Sequence, residues 1–122
     1  MRLFLIPAGL ALVALLGSST GLEAKAKRPS AAAVKRGLAF AQSHCSACHA
    51  VRPGEISRNP ESPPFEMVVN APGVTLGTLR PWLRDSHNYP AVMEFRIEQR
   101  HIADLAAYMI TLRRPDYRPP AQ

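Results

Sequence analysis

Two thiols and an imidazole fall within five consecutive residues, Cys45-Ser46-Ala47-Cys48-His49. The spacing sets both thiols on one helical turn, where each can add to one vinyl group at the edge of a porphyrin and become a thioether. The residue directly after the second thiol then lies under the ring, and its imidazole can bind the iron from the proximal side. A C-x-x-C pair followed at once by His is the attachment sequence of c-type haem, so Cys45, Cys48 and His49 are read as holding one covalent haem c. The chain has no other cysteine. A thioredoxin-like dithiol would need a strand-rich βαβ setting, and these flanks are helical. A zinc site would need four ligands, usually in close pairs, and His44, His87 and His101 supply no such pair.

The elements that must position these residues follow from pattern. Ser30 can cap a helix that starts in Ala31-Ala32-Ala33 and runs to about Ser43, with Val34, Leu38, Ala41 and Phe40 on its apolar side. Gly37 inside that helix costs about 1 kcal/mol relative to Ala, a cost that makes sense if the C-terminal helix approaches closely there. Residues 50–64 hold Pro53-Gly54, Asn59-Pro60 and Pro63-Pro64 and read as a long loop wrapped around the cofactor's edge. Phe65 to Val69 reads as a helical turn or more. Thr78 to Asp85 reads as a short helix capped by Thr78, with Pro81 in its first turn and Leu79, Trp82 and Leu83 on one face. A second loop carries Asn88, Pro90 and Met93. The helix from Ile97 or Glu98 to Arg113 has the clearest stripe, Ile102, Leu105, Ala106 and Met109. Arg113 and Arg114 suit its negative end, and Pro115 stops it. Residues 116–122 read as an extended Pro-rich tail. No strand-like alternation or internal repeat is present.

The N-terminus reads as an export address. Arg2 precedes an apolar run, Leu3 to Leu16, shorter than the ~20 residues of a membrane span, and a polar break follows. Cleavage after Ala24 is preferred to cleavage after Ala26; an uncleaved membrane anchor is the alternative. The domain plan is therefore a signal peptide over 1–24, a flexible start over 25–30, one haem domain over 31–115 and a tail. The expected location is the periplasm, where haem is attached to exported chains. The chain carries 15 Lys and Arg against 9 Asp and Glu, and loss of Arg2 and Glu23 with the signal leaves its excess of +6 unchanged. Such a balance suits docking on acidic redox proteins or contact with anionic lipid. Nucleic acid is excluded as a partner, since the charges are scattered and the chain is exported.

Taken together over residues 31–115, the pattern resembles the class I c-type cytochrome family. The matching features are Gly37 ahead of C-x-x-C-H, Pro63-Pro64-Phe65, Thr78-Leu79 with Trp82-Leu83, a loop with Met93, and Asp104-Leu105-Ala106-Ala107-Tyr108-Met109. The resemblance implies an all-α cytochrome c fold, three main helices around one haem, with the first and last helices crossing at Gly37. It implies iron held between His49 and Met93, and a proline carbonyl, Pro63 before Pro64, accepting the other imidazole N–H of His49. The first loop is longer than in mitochondrial relatives, a departure that bears on the choice of proline.

Among the other methionines, Met67 and Met109 suit packing, while Met93 sits in a loop free to reach the iron. His87 as a sixth ligand, or an open site, are the alternatives to Met93. Trp82 belongs either beside the haem or in the ordinary core. Iron with two protein ligands exchanges single electrons and has no vacant position, and thioether sulfur favours the reduced metal. The expectation is therefore a monomeric one-electron carrier and not an enzyme. A cytochrome subunit of a dehydrogenase or oxidase, and a small haem enzyme or gas sensor with an open sixth site, are the other readings. Lys35, Arg36, Arg80, Arg84, Arg96 and Arg100 are candidates for steering partners, or a plain solvated surface.

Overall fold

The computed structural model describes residues 28–85 and 95–119. Its elements are α1 (Ala31–His44), α2 (Phe65–Asn70), α3 (Leu76–Asp85) and α4 (Gln99–Met109), the last continued by a 3-10 turn over Ile110–Leu112. The described residues are helical and contain no strand. The signal segment, His87 and Met93 lie outside the described residues, so the expectations about them rest on sequence alone.

The first helix begins as its sequence dictates. The Ser30 hydroxyl accepts the Ala33 N–H at 3.2 Å, satisfying one of the donors that a helix start leaves unpaired. Ala41 is fully buried, and Val34, Leu38 and Phe40 pack partly against the core. Gly37 is buried against α4. A Cβ at that position would collide with the backbone carbonyl of Asp104 and lie 2.7 Å from Tyr108 Cβ. Only glycine lets the two backbones meet this closely. Arg36 and Asp104 flank the contact in a two-pronged ion pair, Nε to Oδ2 at 2.7 Å and Nη2 to Oδ1 at 2.8 Å.

The stripe on α4 is the centre of the core. Ile102, Leu105, Ala106 and Met109 are buried, as are Ala107 and Tyr108. Phe65 and Val69 of α2 and Leu79 and Leu83 of α3 complete the same apolar cluster.

Three local expectations are corrected. First, α3 starts at Leu76, not Thr78. Thr75 is the cap: its Oγ1 accepts the Thr78 N–H at 3.2 Å, while Thr78 Oγ1 accepts the Thr75 N–H at 2.9 Å. This reciprocal pair outcompetes a cap by Thr78 alone. Pro81 consequently sits inside the helix, beyond its first turn. Second, α4 ends at Met109, and Arg113 and Arg114 lie past it. Their side chains go elsewhere, Arg113 Nη1 to the Val74 carbonyl at 2.5 Å and Arg114 Nε to Glu66 Oε1 at 3.2 Å. Third, the described part of the tail, 116–119, starts from a turn at Pro115-Asp116. The Tyr117 N–H returns to the Arg114 carbonyl at 3.3 Å, and the Arg114 guanidinium lies over the Tyr117 ring.

Candidate functional site

The Cys45–His49 segment is a direct continuation of α1. Cys45 caps the helix, its N–H reaching the Ala41 carbonyl at 2.9 Å. The chain then makes one more turn: both Cys48 N–H, at 3.1 Å, and His49 N–H, at 2.9 Å, donate to the Cys45 carbonyl. The two thiols and the imidazole are thereby set by the frame of a helix that Gly37 locks to α4. Cys45 is buried and Cys48 exposed. Burial pushes the Cys45 thiol up to about 11, so it stays protonated at neutral pH.

Loop 50–64 is pinned back onto this segment. The Ala50 carbonyl accepts the Phe65 N–H at 2.9 Å, the Ala50 N–H donates to Ser57 Oγ at 3.0 Å, and the Cys48 carbonyl accepts the Asn59 N–H at 3.1 Å. The Val51 carbonyl accepts the hydroxyl of Tyr108 at 2.6 Å, joining the loop to α4. Burial raises the Tyr108 phenol above its usual value, which keeps it a neutral donor. This loop-to-helix bond had no local signature in the sequence.

The half-buried His49 places Nδ1 2.8 Å from the Pro63 carbonyl. A carbonyl only accepts, so Nδ1 carries the hydrogen and donates it. In a neutral imidazole the lone pair is then on Nε2, the atom left to bind a metal. Pro64, the second candidate, instead precedes α2 as its cap residue and makes no side-chain cap bond.

Beyond Pro63 lies an apolar cavity of about 440 Å³, bordered by Met67, Val68, Val74, Leu79 and Trp82. Trp82 is 47% exposed, so it is a wall of this cavity and not a core aromatic. Met67 also faces the cavity and is only half-buried, a departure from the packing role read for it. Met109 is fully buried on its stripe, as its spacing implies. A larger groove, about 610 Å³, runs between α1 and α4 but is edged by Arg36, Arg100 and Asp104, a poor surface for a flat apolar ring. His101 stacks on Phe40 at 4.7 Å between ring centroids, and His44 meets the same ring tilted, at 4.4 Å.

Among the described residues no three His, Cys, Asp or Glu side chains converge to hold a metal ion as a cluster. No helix among them is long and apolar enough to cross a membrane. Of the residues singled out from sequence, the structure brings Cys45, Cys48, His49 and Pro63 together, with Trp82 across the neighbouring cavity. The residue types fit a covalently held porphyrin, two thiols on one turn and one imidazole with a defined free nitrogen; the apolar wall meets them only at Pro63, and His49 itself borders a polar groove with Arg52, Glu55 and Arg58. The chain matches no protein-family model, no curated protein and no solved structure.

Proposed function

We propose that this protein is an exported monohaem c-type cytochrome of the class I type, a one-electron carrier between redox proteins. The observation that carries the reading is the His49–Pro63 bond within a C-x-x-C-H turn. It fixes one tautomer and leaves Nε2 as the ligand atom, the arrangement that a haem-binding histidine needs. Bound haem would supply a reversible one-electron iron couple, with its potential set by its axial ligands and surroundings.

The chain's own residues do the rest. Cys45 and Cys48 tether the porphyrin edge as thioethers. His49 takes the proximal side, and its bond to Pro63 holds the imidazole plane and strengthens it as a donor. Met93, in the segment between α3 and α4, is the proposed second axial ligand. Pro63, Val68, Leu79 and Trp82 offer the apolar wall on that side. The positive excess of +6 favours approach by acidic partners. Residues 1–24 act as the export signal in this account, which delivers the chain to the periplasm for haem attachment.

The ferric spectrum of the purified mature protein tests the carrier assignment. A low-spin spectrum with a methionine–iron charge-transfer band, lost in Met93→Ala, is expected. A high-spin spectrum that shifts on adding cyanide would instead mean an open site and a haem enzyme or sensor. Reduction by an acidic partner is expected to slow as salt rises; a flat response would remove the steering role.

A further inference from the structure

We propose that Glu66 is a positioning residue for His49, clamping the start of α2 so that the Pro63 carbonyl stays on the imidazole. The role rests on the proposed function only for what His49 then binds.

Glu66 is 8% exposed, an unusual place for a carboxylate. Its Oε2 accepts the N–H of Gly54, at the far end of loop 50–64, at 3.1 Å. Its Oε1 lies 3.2 Å from Arg114 Nε, yet no directed hydrogen bond reaches that oxygen, so the contact is ionic. The Glu66 carbonyl accepts Asn70 Nδ2 at 2.8 Å, and Asn70 Oδ1 accepts the Arg114 N–H at 2.9 Å. One carboxylate therefore joins the loop, α2 and the C-terminal segment.

The consequence follows from where α2 begins. It has six residues, and its cap residue Pro64 makes no side-chain bond. A helix this short has no stability of its own. Its position is set by Phe65 and Val69 in the core, by the Phe65 N–H on the Ala50 carbonyl, and by the Glu66 clamp. The residue carrying the His49 acceptor is Pro63, immediately ahead of that start. If the clamp opens, α2 and the loop lose a shared anchor, the Pro63–His49 bond lengthens, and the imidazole becomes a weaker donor to whatever Nε2 binds. Oε2 does the holding, so an amide in its place keeps the Gly54 bond and gives up only the ionic contact.

The test compares the full mature protein with Glu66→Ala, Glu66→Gln and Ile102→Val, the last a core truncation on a helix to which the Glu66 carboxylate makes no bond. Hydrogen exchange at Gly54 N–H and His49 Nδ1–H is measured by NMR, with reduction potential and thermal midpoint alongside. Glu66→Ala is expected to speed both exchanges roughly tenfold, the scale of one lost hydrogen bond, and to raise the potential. Glu66→Gln is expected to restore most of both, and Ile102→Val to lower the midpoint while leaving them near wild type. Exchange and potential that move in Glu66→Ala no more than in Ile102→Val would overturn the proposal, as would failure of Glu66→Gln to rescue. A wild-type chain that is exported by a haem-attaching host and carries no haem contradicts the proposed function instead, and the exchange rates of that chain still judge Glu66.

Discussion

The α1–α4 contact and the wall running from Pro63 to Trp82 are built on opposite terms. At the Gly37 crossing of α1 and α4 the surfaces are matched: Gly37 admits the Asp104 backbone, Arg36 pairs with Asp104, and the Tyr108 hydroxyl finds Val51. The wall has apolar side chains facing an open cavity of about 440 Å³, with Trp82 nearly half exposed. A chain of this length has little apolar surface to spare, so a wall that begins at Pro63, the acceptor of the His49 imidazole, suits the apolar ring proposed above. In the proposed reading the first region is completed by the chain and the second by bound haem.

That contrast can be broken or sharpened in several ways. The largest effect is expected from Cys45→Ala with Cys48→Ala, which removes both tethers. If the wall needs a bound ring, this haem-free chain loses cooperative unfolding by circular dichroism. A native-like melt would mean that the helix contact suffices alone.

Next is Gly37→Ala. Alanine gains about 1 kcal/mol in helix propensity. The new Cβ would meet main-chain atoms, which cannot swing aside, so overpacking of about 1–3 kcal/mol or more outweighs that gain. Chemical denaturation is expected to show net destabilisation with α1 and α4 pushed apart.

Tyr108→Phe leaves the Val51 carbonyl without its partner and is expected to cost about 1–3 kcal/mol in the same measurement. Tyr108 packs equally well as Phe, so a neutral result would mean water reaches that carbonyl.

The smallest effect belongs to pH. The hydrogen bond from Arg36 holds the Asp104 carboxyl below its ordinary value. A carboxylate with a lowered folded pKa adds stability above its unfolded value, about 3.9, and that stability fades as pH falls through the lower folded value. Wild type is thus expected to lose a little more stability than Arg36→Ala between about pH 5 and pH 2. Identical acid limbs would show the pair to be idle, as many exposed pairs are.

What the sequence reveals divides along the same line. Ser30, the stripe Ile102–Leu105–Ala106–Met109 and the close approach at Gly37 are local or periodic signals, and each has its structural counterpart. The start of α3 is off because two threonines compete for the cap and the reciprocal Thr75–Thr78 pair prevails. Trp82 shares a helical face with Leu79 and Leu83, but periodicity does not say whether a face ends in core or cavity. Nothing in the sequence singles out Glu66, because its partners Gly54 and Arg114 are joined to it by no local pattern. The thiols and imidazole are legible because their chemistry is encoded in consecutive positions. The Tyr108–Val51 bond is not, because its partners meet only through the tertiary fold.

The most direct measurement is the intact mass of the chain expressed with its export signal in a host that attaches haem to exported proteins. The account predicts the mature chain plus one haem, with neither Cys45 nor Cys48 open to thiol reagents. A chain of bare polypeptide mass, with both thiols reactive once unfolded, would contradict it.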